Sequence, residues 1–262
     1  MPHRAAGHRA GIGNGMMSIL ELTGITKNFG GIHALAGVDI KLERGQVLGL
    51  MGDNGAGKST LIKIIAGSFP PTSGTIRLDG KTVTFARPRE ARDAGIEVVH
   101  QDLALCDNLT ASMNVFLGRE IVRKFGPFQF LNRAAMNERS AELFADLKSE
   151  TRPKDLVRQM SGGQRQAVAI ARTRLSKPNI VIMDEPTAAI SVRQVAEVLD
   201  LIRRLKAAGL AVILISHRMP DVFAVCDRVV VLRRGAKVAD KPVGETSPEE
   251  VTGLITGAIE NA

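Results

Sequence analysis

A glycine-rich run that joins an apolar segment to a helical pattern constrains the fold of this chain more than any other feature. The apolar segment is Val47–Met51, the run has the sequence GDNGAGKST, and apolar residues at helical spacing continue over residues 59–66. Glycines let successive backbone N–H groups converge on one point, and the first turn of a helix carries partial positive charge. The order strand, loop, helix therefore predicts a phosphate-binding loop rather than a chance glycine-rich turn.

The rest of the chain alternates apolar segments with helical patterns. We predict strands over 96–99, 180–183 and 210–215, hairpins over 75–85 and 229–239, and helices over 163–175, 192–208 and from 248 onward. Such alternation is typical of an α/β fold whose mainly parallel sheet is covered by helices on both faces. Residues 102–158 have little strand character and predict a helical insert with a break at 125–128.

The composition excludes several classes of protein. The 262 residues are 44% apolar and 24% charged, which excludes disorder, collagen and coiled coil as descriptions of the whole chain. No apolar run approaches the ~20 residues of a membrane span. The formal net charge of +8 suits a nucleotide, a nucleic acid or an anionic lipid surface, and equally an ordinary solvated surface. We predict a disordered extension at 1–17 and a single domain over 18–262, with the helical insert at about 102–160.

Two acidic residues, Asp184 and Glu185, follow the predicted strand over 180–183. The carboxyl ends of parallel strands are where ligands bind, and successive strand side chains point in different directions. Asp184 is therefore a candidate to hold Mg²⁺ through water, and Glu185 is a candidate to polarise an attacking water. In the phosphate loop, Lys58 is predicted to reach the β- and γ-phosphates, and the Ser59 hydroxyl to bind the metal ion.

Several motifs occur in a fixed order along the chain. They are the phosphate loop, Gln101 after a strand, SGGQ at 161–164, DEPT at 184–187, and His217. On its own SGGQ is typical of an ordinary capped helix, but the whole series resembles the nucleotide-binding domain of ATP-binding cassette (ABC) transporters over residues 19–259. The stretches QDLALCDNLTASMNVFLGRE, RQMSGGQRQAVAIA and DEPTAA are similar to ATP-binding subunits of bacterial monosaccharide importers of the ribose, xylose and fructose type. With a single cassette, the chain resembles the fructose-importer-like branch.

The resemblance implies a P-loop NTPase (RecA-like) fold, with an antiparallel β subdomain and an α-helical insert, that uses ATP and Mg²⁺. The implied nucleotide-binding residues are Phe29, stacked on adenine, and Gly52, Asp53, Asn54, Gly55, Ala56, Gly57, Lys58, Ser59 and Thr60. The implied metal ligands are Ser59, Gln101 and Asp184, and the implied catalytic residues are Glu185, His217 and Gln101. A phenylalanine of the core, a surface glutamine and a structural histidine are the alternatives for Phe29, Gln101 and His217.

The resemblance also implies that two copies act together. Ser161, Gly162, Gly163 and Gln164 would contact the nucleotide held by the second copy, so that two cassettes face head to tail around two ATP molecules. Ser191 stands where most of the superfamily has an aspartate that crosses the dimer. Serine lacks the charge but keeps a hydrogen-bonding oxygen, so communication between the two sites is the property this change affects.

The function that this resemblance implies is ATP hydrolysis coupled to import of a monosaccharide. The implied partners are a second copy, transmembrane permease subunits and, indirectly, a periplasmic sugar-binding protein, with no nucleic acid, and the implied location is peripheral, at the cytoplasmic face of the bacterial inner membrane. The alternatives are a soluble ABC ATPase acting on nucleic acid or ribosomes, and a cassette of a transporter for another substrate. Soluble ABC ATPases usually carry two cassettes or long coiled-coil inserts, which this sequence lacks.

Overall fold

The computed structural model describes residues 18–99, 105–175, 178–188 and 191–259, so the predicted extension at 1–17 and Gln101 lie outside the described residues. The strands are β1 Ser18–Phe29, β2 Ile32–Glu43, β3 Val47–Met51, β4 Ser73–Leu78, β5 Lys81–Val83, β6 Ile96–Val99, β7 Val122–Phe125, β8 Phe128–Leu131, β9 Ile180–Asp184, β10 Ala211–Ile215, β11 Arg228–Arg233 and β12 Ala236–Pro242. The helices are α1 Lys58–Ile65, α2 Pro88–Asp93, α3 Ala111–Val115, α4 Arg133–Asp146, α5 Gly162–Arg174, α6 Val192–Ala207, α7 Met219–Val225 and α8 Pro248–Thr256. Within these ranges, none of the helices has the length and apolar character needed to cross a membrane.

The central sheet of the described chain has the strand order β12-β11-β3-β10-β9-β6. All of its pairings are parallel except that of β12, which runs antiparallel at one edge. Every residue of β3 and β10 is buried, which explains their continuous apolar sequences. Successive residues of β3 belong to different core clusters. Val47 belongs to a cluster that includes residues of α3 to α8, and Leu48 belongs to one that includes residues of α1, α2 and a second sheet. The predicted α/β fold with both faces of the sheet covered is confirmed.

The second sheet is antiparallel, with the order β2-β1-β4-β5. Its hairpin β4–β5 turns at Asp79 and Gly80, which both have positive φ, at 48° and 75°. This is the backbone of a two-residue hairpin turn, and it confirms the predicted hairpin, although β5 already ends at Val83. β1 and β2 form a longer hairpin, which places Phe29 at its turn.

The expectation of a purely helical stretch over 102–158 is wrong at 122–131. There β7 and β8 pair antiparallel, and Gly126 and Pro127 form the turn between them. Gly126 has φ 60°, which suits the first position of a tight hairpin turn. Every residue of both strands is exposed, and each strand has only four residues, so neither contains a run of strict apolar–polar alternation long enough to predict a strand.

The carboxyl ends of β3, β9 and β10 meet at one edge of the central sheet. Ile215, the last residue of β10, pairs with Leu50 of β3 on one side and with Asp184 of β9 on the other. The segments that follow these strands contain the glycine-rich loop, Glu185 and His217. Three of the predicted motifs therefore begin side by side.

Candidate nucleotide-binding and catalytic site

The glycine-rich loop needs glycine at both of its ends. Gly52 has φ 149°, and a Cβ there would lie 2.4 Å from the backbone oxygen of Leu232. Gly57 has φ 105°, and a Cβ there would lie 2.8 Å from the backbone oxygen of Ala34. Gly57 also caps α1 without any side-chain hydrogen bond to the helix. The backbone N–H groups of the first turn of α1, where Ser59 is exposed, are therefore available to an anion.

Lys58 holds this loop together with its side chain. Its Nζ donates hydrogen bonds to the backbone oxygens of Gly52, at 2.6 Å, and Asp53, at 3.0 Å. Burial lowers the pKa of the Lys58 ammonium, and the negative charges of Glu185, Asp53 and Asp184 oppose this shift. The ammonium therefore lies within electrostatic reach of Asp184, the last residue of β9, and of Glu185, which follows it.

Glu185 combines a strained backbone with a buried carboxylate oxygen. Its φ is 51°, in the left-handed region that non-glycine residues avoid, and its N–H donates to the backbone oxygen of Ile215 at 2.9 Å. The side chain is only 15% exposed, and His217 Nδ1 lies 2.9 Å from Glu185 Oε2. That oxygen is buried and, within the described residues, accepts no hydrogen bond of proper geometry. A buried carboxylate oxygen in this condition is typical of a functional site.

His217 is the exposed partner of this pair. Its side chain is 71% exposed, whereas its backbone follows β10 directly after the buried Ser216. Ser216 Oγ accepts a hydrogen bond from the N–H of Arg218 at 3.0 Å, which fixes the turn around the histidine. The imidazole can therefore change its direction without a rearrangement of the core.

A buried hydrogen-bonded group that the sequence analysis missed links the loops of Glu185 and His217. Thr187 Oγ1 donates to Asp221 Oδ2 at 2.6 Å, and both side chains are buried. Arg218 Nε lies 3.4 Å from the same carboxylate oxygen, and Arg218 Nη1 donates to the backbone oxygen of Thr187 at 3.5 Å. The only signal in the sequence is Thr187 itself, because Asp221 follows 34 residues later in a different element.

Ser161 and Ser191 begin neighbouring helices in the same way. Ser161 caps α5 and forms a capping box with Gln164, and Ser191 caps α6 and forms one with Gln194. In each box the serine Oγ accepts from the glutamine N–H, and the glutamine side chain accepts from the serine N–H. The oxygen of Ser191 is therefore engaged in its own helix.

The two glycines after Ser161 allow α5 and α6 to approach closely. A Cβ on Gly162 would lie 2.8 Å from Gln194 Nε2, and a Cβ on Gly163 would lie 2.2 Å from Glu197 Oε2. Any larger residue at these positions has to displace side chains of α6. The SGGQ segment is thus fitted to the first turns of the helix that Ser191 begins.

Phe29 lies on the surface at the end of β1. Its ring is 47% exposed and contacts the edge of Phe69, with the ring centroids 5.5 Å apart. Lys27 Nζ lies 5.3 Å from the Phe29 centroid and 4.8 Å from the Phe69 centroid. This exposure excludes the alternative that Phe29 is a core residue, and its stacking role stays a prediction.

Sequence comparison decides the family. The profile of the family described as ABC transporter matches residues 35–188. The chain belongs to the ABC transporter family. This ABC cassette is 44% identical to the xylose/arabinose import ATP-binding protein XylG of Sulfolobus acidocaldarius, over 92% of the cassette and 95% of XylG. It is 43% identical to the fructose import ATP-binding protein FrcA of Rhizobium meliloti, again over 92% and 95% of the two chains.

Solved structures of other cassettes share the fold. A dimeric ATP-binding cassette in a post-hydrolysis state, bound to ADP and Pi, superposes with a TM-score of 0.70 at 26% identity, over 86% of this ABC cassette and 98% of that chain. Ribose and galactose import ATP-binding proteins are longer, and the cassette spans only 46–48% of their length. The predicted family and fold are confirmed, and the ABC cassette is an ATPase.

Proposed function

We propose that this ABC cassette hydrolyses ATP to drive import of a monosaccharide of the fructose, ribose or xylose class through a separate membrane permease. The observation that carries the chemistry is the approach of Lys58, Glu185 and His217 at one edge of the central sheet. The sugar class is supported by XylG and FrcA, which the cassette matches over nearly their whole length.

The nucleotide would lie between the glycine-rich loop and Phe29. The loop N–H groups and the first turn of α1 suit the phosphates, and the exposed ring of Phe29 suits a flat base. Lys58 would exchange its two backbone oxygen partners for phosphate oxygens, a change that keeps its charge paired.

The residues present fit a magnesium ion. Mg²⁺ prefers hard oxygen ligands, and the exposed hydroxyl of Ser59, the carboxylate of Asp184 and the amide oxygen of Gln101 are of that kind. When bound, the ion would neutralise the negative charge of the β- and γ-phosphates.

Glu185 would act as the general base. The attacking water would take the place beside Oε2 that the His217 ring has in this structure, once the exposed imidazole turns to the γ-phosphate. Oε2 would then accept the proton of the water as the water oxygen bonds to the γ-phosphorus, while the bond from that phosphorus to the β–γ bridging oxygen breaks and ADP leaves with the bond's electron pair. The link from Thr187 to Asp221 and Arg218 would hold the loops of Glu185 and His217 at a constant separation.

A head-to-tail dimer would complete each site. Ser161, Gly162, Gly163 and Gln164 begin a 13-residue helix, so their N–H groups suit the γ-phosphate held by a second copy. The similar cassette that was solved as a dimer with ADP and Pi supports this arrangement. The permease, an indirect periplasmic sugar-binding protein and a peripheral place at the cytoplasmic face of the membrane belong to the same proposal.

A mixing experiment tests the shared sites. In a dimer of Lys58→Ala with Ser161→Ala, both changes fall in one site and the other site is intact, whereas each variant alone has a defect in both. Equal mixing should therefore restore about one quarter of the wild-type ATPase rate, because half of the dimers are mixed and each keeps one site of two. A rate no higher than the mean of the two separate variants would contradict the head-to-tail arrangement.

A transport experiment tests the substrate class. Chromosomal Glu185→Gln should abolish uptake of one of the three sugars while growth on an unrelated carbon source is unchanged. Unchanged uptake of all three sugars would refute the sugar proposal. Tight binding of the purified chain to duplex DNA or RNA, weakening steeply with salt, would favour the nucleic-acid alternative.

A further inference from the structure

The hairpin β7–β8 exposes an unusual amount of apolar surface. Phe125, Phe128 and Phe130 are 79%, 64% and 59% exposed, and Val122 and Leu131 at the base of the hairpin are 44% and 47% exposed. Three of the nine phenylalanines of the chain thus lie in one solvent-exposed element. An isolated two-stranded hairpin is marginally stable in water, so a large apolar surface on one indicates a partner.

The pairing of the two strands determines on which face of the hairpin each side chain lies and how far it is from the turn. Phe125 is opposite Phe128 beside the turn, and Arg123 is opposite Phe130 one step below it. Because side chains alternate across a strand, these four lie on one face, and the Phe128 and Phe130 centroids are 6.4 Å apart. The tip of the hairpin is therefore aromatic, and the first basic residues lie behind the tip.

The charge of this segment has one sign. Residues 121–137 contain Arg123, Lys124 and Arg133 and no acidic residue. Arg123 and Lys124 lie on opposite faces of the hairpin, and both are exposed. An aromatic tip with basic residues behind it matches the order of layers at a membrane surface, where acyl chains lie below anionic headgroups.

We propose that the hairpin β7–β8 is a membrane-surface anchor that binds anionic phospholipid. Phe125 and Phe128 enter the boundary between headgroups and acyl chains, while Arg123 and Lys124 contact headgroup phosphates. A lipid surface is favoured over a protein groove because the exposed basic residues Arg123 and Lys124 lie on opposite faces of the hairpin behind its tip. A fluid layer surrounds an inserted tip on all sides, whereas a groove in a folded protein would cover one face and leave the other in water. The anchor is independent of which substrate the cassette serves.

Vesicle sedimentation of the full chain tests the proposal. We expect the chain to co-sediment with phosphatidylcholine vesicles that contain about one third phosphatidylglycerol, and to bind pure phosphatidylcholine at least about ten-fold more weakly. Phe125→Ser/Phe128→Ser should lower the partition coefficient about ten-fold or more. Arg123→Ser/Lys124→Ser should lower it about five-fold per charge on anionic vesicles and leave binding to neutral vesicles unchanged.

Matched controls and solution activity separate anchoring from misfolding. Lys81→Ser/Arg89→Ser removes the same charge from exposed positions in β5 and α2, and it should change anionic-vesicle binding less than two-fold. All variants should keep the wild-type ATPase rate in solution, because the hairpin contains none of the proposed catalytic residues. Equal reduction by the hairpin and control charge variants would overturn the proposal. Unchanged vesicle binding of the phenylalanine variant would also overturn the proposal. A shift of that variant alone from dimer to monomer would do the same, as would loss of its co-purification with a detergent-solubilised permease without any loss of vesicle binding.

Discussion

The substitution Glu185→Gln separates nucleotide binding from hydrolysis in this cassette. The side chain is 15% exposed, and its Oε2 is buried without a hydrogen bond from the described residues. Glutamine keeps the size and shape of the side chain, and its amide can donate to or accept from His217 Nδ1, which lies 2.9 Å from Oε2. We therefore expect the free energy of unfolding to change by less than about 1 kcal/mol.

The effect on catalysis is much larger. An amide cannot take up the proton of the attacking water, and a positioned general base contributes about 10²–10⁴-fold to a rate. The maximal ATPase rate should fall by that factor. The substitution also removes a negative charge close to Lys58 and to the phosphates, and two unit charges 4 Å apart near a protein surface interact by about 4 kcal/mol. If solvent screening leaves about one third of this repulsion between Glu185 and the phosphates, its removal should tighten ATP binding about ten-fold.

Two measurements on the same preparation check this prediction. Phosphate release at saturating ATP gives the maximal rate, and titration with a fluorescent nucleotide gives the dissociation constant. Glu142→Gln is the matched control, because Glu142 is an exposed residue of α4 that pairs with Arg139. The reasoning fails if Glu185→Gln hydrolyses ATP at the wild-type rate, or if ATP binding is lost together with hydrolysis.

Other parts of the molecule allow independent tests. Gly52→Ala should abolish ATP binding and cost more than about 2 kcal/mol of unfolding free energy. Gly55→Ala should cost about 1 kcal/mol, because Gly55 has φ 80° but open space around the new Cβ. Equal losses of stability for the two variants in urea denaturation would contradict the steric argument. Burial raises the pKa of Asp240, but the hydrogen bonds from Arg228 and Lys237 outweigh this effect and hold the pKa below its ordinary 3.8. The stabilisation by ionised Asp240 is therefore present above pH 3.8 and is lost as the pH falls through the lower pKa of the folded state. Asp240→Asn should reduce the free energy of unfolding by about 1–3 kcal/mol at neutral pH, and by progressively less in acid denaturation below pH 3.8. Burial raises the pKa of the Cys226 thiol, so this cysteine should resist iodoacetamide at pH 8 until the chain is unfolded, and rapid labelling of the native protein would show that the site opens.

The sequence was sufficient where burial alone decides the structure. β3 and β6 begin and end at the predicted residues, because strands covered on both faces are rich in apolar residues. The charged residue of β6, Glu97, is buried and pairs with Arg119. The helix over 192–208 was also predicted within one residue, and Val195, Ile202 and Leu205 on its predicted face are buried, with Leu199 half-buried. In such elements the pattern of apolar residues predicts the observed burial, because both follow from the removal of apolar side chains from water.

The sequence was insufficient where the structure depends on contacts between distant residues or on exposure. The exposed strands β7 and β8 are too short for a diagnostic apolar pattern, so their Gly126–Pro127 turn was interpreted as a break between helices. The pairing of Thr187 with Asp221 joins the segment after β9 to helix α7, and no local motif connects these two residues. Glu185 could be predicted as an acid at the end of a strand, but its left-handed backbone and its contact with His217 required the assembled sheet edge.

The hydrogen bonds of Lys58 to its own loop bear on the speed of nucleotide exchange. Because the ammonium bridges two carbonyls of the chain, the curvature of the loop is set when the protein folds and not when a nucleotide arrives. An incoming triphosphate replaces two carbonyl acceptors of Lys58 in a preformed loop and orders little additional backbone, so its association should be close to the rate of encounter. After hydrolysis the same two carbonyls can accept hydrogen bonds from Lys58 again as ADP leaves. This exchange of partners lowers the activation barrier to product release and returns the loop to the conformation that binds the next ATP.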